Sequence, residues 1–391
     1  MTHQTFPSPS IDPLQRLHVY DSLMMNAERW RVAHQYHRHR QNIHYQSLNE
    51  PGIVCGLGVR VIPAPNSAPA RFRDQRWLEV QPGIAIDLEG NPIVIDPEID
   101  RKFRIATAAP TTGTLTVYLV VSYVEPQNPT QRQSTGLVRE WFRFDEKTHP
   151  PTEKEVELCR LELQPGTVEI KNPQDALFPR IGELNLRLRT QAKARPSAVV
   201  SVAAFNASDR TYYNLSYFMQ SVATLYPPLQ GGAQIGHIDL QTEVTDYDLL
   251  YLTAWQVLNL GQQELDHLNQ YLQTGSIILI EVPTSSGTLV EDVKSAIANH
   301  FEITVQSWQE LSRIHPLRTQ PFLFAALPYV KEQPLQISHA GGVVLIEGDL
   351  SAAWGLDDLT LQRHEIRTAQ ELGINILNLT LQQRQLTEWL Q

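Results

Sequence analysis

The chain has two cysteines in 391 residues, Cys55 and Cys159, too few for the disulfide framework of a small secreted protein. Both are expected to be buried, reduced thiols. No apolar run approaches the roughly 20 residues that a membrane-spanning helix needs, so no span is expected. The opening MTHQTFPSPSIDPLQ lacks a basic segment followed by an apolar core, which excludes a secretory signal and leaves a cytoplasmic protein as the expectation. Positive charge is in deficit. Lys and Arg number 32 against 42 Asp and Glu, a net charge of -10, and this argues against broad nucleic-acid binding. The signatures of common chemistries are missing too. Neither GxGxxG nor GxxxxGK followed by Ser or Thr occurs, there is no HExxH, and PTSSG at Pro283 to Gly287 lacks the first glycine of a GxSxG nucleophile elbow. No cysteine follows Cys159, so the C-terminal half holds no thiol nucleophile. Neither catalysis nor a cofactor is expected.

What is present describes a soluble globular protein, with 42% hydrophobic and 19% charged residues and a length that implies more than one domain. The stretch Asn26 to Pro63 carries the clearest signals. At about 100° per residue, Met25, Val32, Tyr36 and Ile43 form one stripe, while Leu23, Trp30, His34, His37, Gln41, His44 and Leu48 gather on the opposite side. A helix with two such faces is expected to be wedged between its own sheet and a neighbour, with only Arg31, Gln35, Arg38 and Asn42 left to water. Pro51-Gly52 stops it, and one strand is expected from Ile53 to Ile62, with Gly56 and Gly58 marking a bulge or close backbone approach.

Residues 1–16 read as a flexible arm rich in proline and serine. From 17 to 190 the alternation at Trp77–Gln81, Gly83–Asp87, Pro92–Ile95, Leu137–Phe144 and Glu155–Leu163 predicts a mostly-β domain, with Leu115–Val124 as its buried central strand. Residues 191–197 read as a linker. From 198 to 391 the rhythm changes to strand, helix, strand: Ala198–Ala204, Leu249–Thr253, Ile277–Val282 and Gly342–Ile346 are apolar strands. They are separated by helices at Tyr212–Leu225, Gly261–Gln273 and Val290–His300, with a last helix at Leu361–Leu377. The expected fold class is therefore α+β multidomain, with a mostly-β N-terminal domain bearing one long helix and a parallel, three-layer Rossmann-like α/β C-terminal domain.

His34, His37, His39 and His44 raise the question of a metal, but without a carboxylate or thiolate at ligand spacing they read as packing and hydrogen-bonding groups, and no metal is expected. Arg29, Arg31, Arg38 and Arg40 could meet an acidic partner or lie solvated in local salt bridges. His315, His339 and His364 are isolated in sequence and read as structural. Tyr212, Tyr213 and Tyr217 would suit a carbohydrate platform and are expected in the core instead.

AERWRVAHQYHRHRQNIHYQSLNEPGIVCGLGVRV followed by WLEVQPGIAIDLEGNPIVI resembles a domain of phage-tail-like contractile injection systems, in which a helix with a YHRRR-like run precedes GxVCGL and a PGxAID hairpin. Tyr36, His37, Arg38, Arg40, Gly52, Val54, Cys55, Gly56, Leu57, Pro82, Gly83, Ala85, Asp87 and Gly90 carry the resemblance, and His39 stands where arginine is commoner. It implies a structural component at the baseplate or tail fibre, present in multiple copies, with other particle subunits as partners; the two-faced helix makes Trp30, Arg31, Tyr36, His37, Arg38, Arg40 and His44 the expected interface residues. The stretch YDLLYLTAW to SIILIE is similar to a domain related to the class I glutamine amidotransferase fold, whose nucleophile maps to no residue here. In photosynthetic bacteria, systems of this type are anchored at internal membranes, which implies a possible thylakoid-proximal site for the assembled particle. A particle-associated enzyme of amidotransferase-like or hydrolase type is the alternative.

Overall fold

The computed structural model describes residues 13–125, 140–152, 154–167, 169–241, 244, 246–283, 287–355 and 360–390. Helices and strands are mixed throughout, and the chain divides into two compact units, one ending at Arg195 and the other beginning at Pro196.

The first unit opens with helix α1 (Ala27–Leu48). Asn26 caps it, its side chain accepting a hydrogen bond from the Arg29 N–H, and Glu28 adds negative charge to the positive end of the helix dipole. The chain then turns extended at Asn49. Strands β1 (Asn49–Glu50), β2 (Gly52–Gly56), β3 (Val59–Ile62), β4 (Trp77–Val80), β5 (Gly83–Ile86), β6 (Pro92–Ile95) and β7 (Lys102–Arg104) follow. Next come β8 (Leu115–Val124), β9 (Trp141–Lys147), β10 (Glu155–Leu163) and β11 (Lys193–Ala194). They form antiparallel sheets in the orders β2-β5-β6, β3-β4-β7 and β10-β8-β9, with β1 paired to β11.

The expected single strand from Ile53 to Ile62 is two strands in two sheets. The corner falls at Leu57, which adopts φ 55° and is fully buried. Gly56 is the close-approach point: with φ +65°, a Cβ there would lie 2.1 Å from the Pro82 carbonyl oxygen. The strand expected at Leu137 begins only at Trp141, its first residues lying outside those described, as does most of the N-terminal arm. Segment 191–197 is not a free linker. The Ala192 N–H donates to the Ile53 carbonyl, β11 pairs with β1, and Arg195 donates to the carbonyls of Leu48 and Gln46. Backbone pairing of this kind needs no side-chain pattern, so the sequence does not show it.

The core of this unit is built by the strands and by loop residues such as Leu57, Ile105, Ile170 and Leu184. Leu78, Val80, Ile93, Ile95, Val117, Leu119, Val121, Leu158 and Leu161 are at most 2% exposed, whereas no residue of α1 is buried. Cys159 belongs to this core and burial pushes its thiol up to about 12, so it is inert. Cys55, expected to be buried, is exposed, because β2 turns that residue outward.

The second unit contains β12 (Ala198–Val200), β13 (Val202–Phe205), α2 (Asp209–Leu225), β14 (Leu229–Gly231), β15 (Gly236–Ile238), β16 (Leu249–Thr253) and α3 (Ala254–Leu258). After these come α4 (Gln262–Gln273), β17 (Ile277–Val282), α5 (Gly287–Phe301), β18 (Gln306–Ser307) and α6 (Pro316–Thr319). A small hairpin, β19 (Tyr329–Val330) and β20 (Gln333–Pro334), precedes β21 (Gln336–Ala340), β22 (Val343–Glu347) and α7 (Arg363–Leu390). Seven strands form one sheet in the order β15-β13-β16-β17-β22-β21-β18. The first five are parallel, and β21 and β18 extend the edge antiparallel. The apolar run at Ala198 is split at Ser201, with β12 pairing to β14 and β13 entering the main sheet.

Period-two alternation sends the strand side chains to two separate cores. Val202, Leu249, Tyr251, Ile277, Leu279, Val344 and Ile346 pack with α2 and α7, while Leu250, Leu252, Ile278, Ile280, Val343 and Leu345 pack with α4 and α5. Helices thus cover both faces. Helix α7 runs well beyond the expected Leu377, anchored by two polar contacts that a hydrophobic pattern does not reveal. The fully buried Asn375 amide donates to the carbonyls of Leu317 and Phe322 and accepts from the Phe322 N–H. Near its far end Arg384 donates to Asp248 at 2.7 Å, and Asp248 in turn holds the Ser201 N–H and hydroxyl. Tyr213 and Tyr217, expected in the core, lie exposed on α2, while Leu215, Phe218, Met219 and Val222 fill its buried face.

Gly56 and Gly113 separate steric from conformational cost, because both have positive φ but a Cβ at Gly113 meets nothing within 4 Å. In urea denaturation Gly113→Ala is expected to cost about 1 kcal/mol for its left-handed backbone. Gly56→Ala should cost more than about 2 kcal/mol, because the Pro82 strand must also move. Equal losses would mean that the corner relaxes freely.

Candidate interaction surface on the first helix

Helix α1 reaches its own unit through a polar joint. The hairpin turn between β5 and β6 is closed by the Asp87 N–H donating to the Asn91 carbonyl. Asn91, 3% exposed, donates from its backbone to Asp87 Oδ1 at 2.8 Å and from its amide to Oδ2 at 3.0 Å. The remaining amide group meets the helix: the Asn42 and Asn91 side chains pair at 2.9 Å, and Arg38 Nη2 donates to Asn91 Oδ1 at 3.4 Å. Gly90 completes the fit, because with φ +79° and no side chain it lets the turn press on the helix, where a Cβ would stand 2.5 Å from the Asn42 carbonyl oxygen. Arg38 also pairs with Glu125 and lies over the Tyr123 ring, 5.1 Å from its centroid.

Charge in this joint is tuned by burial. Burial of Asp87 raises its carboxyl above the usual range against the opposing hydrogen bonds of Asn91. Burial also pushes the Tyr123 phenol up to about 12, with Arg38 opposing and Glu140 and Glu125 adding to the rise. For Arg38 burial acts downward, and the hydrogen bond to Glu125 together with the negative groups Tyr123, Glu125 and Glu140 outweighs it, so its guanidinium is raised.

The sector of α1 expected to face water therefore does the docking, since Arg38 and Asn42 are its contacts with the hairpin. The two apolar stripes behave differently. Val32, Tyr36 and Ile43 are half-buried, and the first two border an open groove of about 420 Å³ with Pro13 and Leu14 of the preceding segment. The opposite stripe is exposed among the described residues: Trp30 is 56% and Leu48 54% exposed, and His34, His37, Gln41 and His44 are exposed between them. Trp30 stacks on His34 with ring centroids 5.7 Å apart, and His44 meets Tyr45 edge-on.

The seven residues expected to form an interface divide accordingly. Trp30, His37 and His44 lie on the open stripe, Arg31 pairs with Glu28 beside it, and Arg40 is exposed on its other flank. Tyr36 borders the groove, edge-on to His37. Arg38 is engaged in the joint. Among the described residues no three of His, Cys, Asp and Glu converge as metal ligands, and no helix is long and apolar enough to cross a membrane.

At the carboxyl end of β17, Glu281 accepts from the Tyr251 hydroxyl and from the Ser351 N–H at 2.9 Å. Burial raises both Glu281 and Tyr251, so the trio closes on itself and pins the turn after β22 to the sheet. PTSSG lies across residues outside those described. His315 and His339, isolated in sequence, come together at 4.9 Å between ring centroids. His315 Nδ1 accepts from the Leu317 N–H as the cap of α6, and His339 Nε2 is buried without a partner. Burial, with His315 as a further cause, lowers His339 to about 4. Only the sheet pairing of β21 with β18 and the cap of α6 create this contact, so no local sequence signal could have found it.

Residues 204–381, within the second unit, match a family described as a domain of unknown function (DUF4159). No curated protein matches the chain.

Two expectations follow. Asn91→Ala removes the group that satisfies Asp87 and holds α1, and should cost roughly 1–3 kcal/mol in urea denaturation while making the chain near Asn42 newly susceptible to protease. An unchanged midpoint and digestion pattern would show that the joint is dispensable. His339 is neutral when folded and titrates near 6.5 when unfolded, so the folded state binds fewer protons between these values. Stability should be full above about pH 6.5 and fall as the pH drops toward 4, by up to about 3 kcal/mol for this group. His339→Leu should flatten that part of the profile. A loss of identical size in both proteins would assign the acid sensitivity elsewhere.

Proposed function

We propose that this protein is a structural component of a phage-tail-like contractile injection system, at the baseplate or tail fibre, docking through its first unit and presenting its second. The observation that carries this reading is α1, a helix of 22 residues that supplies nothing to its own core and leaves a stripe from Trp30 to Leu48 uncovered. A monomer has little use for such a helix, since most helical stability in proteins comes from burying a face. The motif residues of the resemblance support it physically. Asp87 and Gly90 shape the turn that holds the helix, and Gly56 and Leu57 form the corner between β2 and β3.

In this reading the second unit is an amidotransferase-like α/β domain without catalysis. Both cysteines lie in the first unit, and the Glu281 carboxyl is occupied by its own neighbours. Its task is recognition, anchoring or decoration. The particle would assemble in the cytoplasm with several copies of this subunit, and any thylakoid association would come through the assembly.

The test compares Trp30→Ala with Tyr36→Ala for melting temperature and for co-fractionation with sheath and tube proteins. Trp30 is exposed, so its truncation should leave the melting temperature within about 2 °C while reducing incorporation by tenfold or more, as loss of an anchor worth about 2 kcal/mol implies. Normal incorporation of Trp30→Ala, or absence of the unaltered protein from particles, would remove the support for this function.

A further inference from the structure

The open stripe of α1 has a spacing of its own. Trp30, His34, His37, Gln41, His44 and Leu48 follow one another by four, three, four, three and four residues, and every one is exposed. Alternating steps of three and four keep a line of side chains straight along one edge of a helix, which is the seam geometry of a two-helix coiled coil. From Trp30 to Leu48 the seam runs about 27 Å. Its flanks are basic: Arg31 stands on one side and Arg29 and Arg40 on the other. The helix carries four arginines against the single acidic residue Glu28, on a chain whose net charge is -10.

We infer that α1 pairs along this seam with an acidic helix of another protein, one with apolar residues at its seam positions and carboxylates on both flanks. The inference rests on reading α1 as the docking element and adds the chemistry of what it docks. Three alternatives fit less well. A second copy would lay a net-basic helix against a net-basic helix, with Glu28, already paired to Arg31 of its own helix, as the single carboxylate each could offer. An anionic bilayer would need a wide apolar face, and here only Trp30 and Leu48 are large and apolar while histidine and glutamine fill the middle. Nucleic acid is disfavoured by the overall negative charge. Polar groups inside a coiled-coil seam lower its stability and restrict partner and register, so this helix stays open alone and closes on a partner whose flanks match.

The probes are two synthetic helical peptides of about four heptads, with leucine at both seam positions and either glutamate or lysine at both flanks, titrated into the full-length protein. The glutamate peptide should bind at least about tenfold tighter than its lysine twin and weaken as salt is raised. Arg31→Glu combined with Arg40→Glu should reverse that order while the protein stays folded. Trp30→Ala should abolish binding to either peptide. The inference is overturned if both peptides bind equally or neither binds, if vesicles of anionic lipid are bound in preference to the glutamate peptide, or if the protein forms a dimer that Trp30→Ala dissolves. It also fails if the doubly reversed variant still enters particles at the normal level, an outcome that leaves the particle reading intact. Selective binding of the glutamate peptide by a protein that never enters particles supports the acidic helix and rejects only the particle.

Discussion

Asn91 is the residue through which the first unit holds its helix. Its amide faces a buried carboxylate on one side and Asn42 and Arg38 on the other, so a single side chain satisfies the turn and attaches α1. Polar contacts of this kind fix geometry more than they stabilise: each contributes about 1 kcal/mol once the lost hydration is counted. A leucine-rich attachment would have been stronger and would also have concealed the helix. By docking through amides and one guanidinium, the unit keeps the helix in a defined orientation and leaves its Trp30 stripe in water.

The second unit follows the opposite strategy. Its sheet is clothed on both faces, with alternate residues of β13, β16, β17 and β22 feeding two apolar cores. Polar groups appear where chain segments must be held in one register: Asp248 joins β12, β16 and α7, Glu281 fastens the turn after β22, and Asn375 ties α7 to the loop after α6. Among the described residues Gln230 Oε1, Arg318 Nε and His339 Nε2 are the buried side-chain atoms of this unit left without a hydrogen bond, and the last is the one expected to make it sensitive to acid. Such latches are costly to break and cheap to keep, since removing one partner strands the other in a medium of low polarity.

Much of the strand pattern was legible in the sequence because period two and β-branched runs report directly on burial, as at Leu115–Val124 and Ile277–Val282. Both ends of α4 and the far ends of α2 and α5 fall within one residue of the positions expected from apolar spacing, whereas α2 and α5 begin three residues earlier than expected. What escaped was everything decided at long range. The face of α1 that docks could not be chosen from hydrophobicity, because it docks with Arg38 and Asn42. The antiparallel edge strands β21 and β18 are too short or too polar to stand out, and the pairing of residues 191–195 with β1 involves backbone groups that carry no sequence signature. Tyr213 and Tyr217 looked like core residues by composition, and only the position of Phe218 and Met219 on the other face of α2 reveals that they point outward. Of the seven interface residues inferred from the sequence, the structure gathers Trp30, His37 and His44 on one open face, but it takes Arg38 away.

The absence of α1 from the core also sets its local stability. Because opening it exposes little apolar surface, the free energy to detach or fray this helix lies far below that of the strands. A partner that binds only the ordered helix shifts this equilibrium by mass action, so part of the binding energy is spent on ordering and the measured affinity understates the contact. Substitutions that raise the intrinsic helicity of α1 at exposed positions outside the seam would then tighten association without adding a single contact, and glycine at the same positions would loosen it.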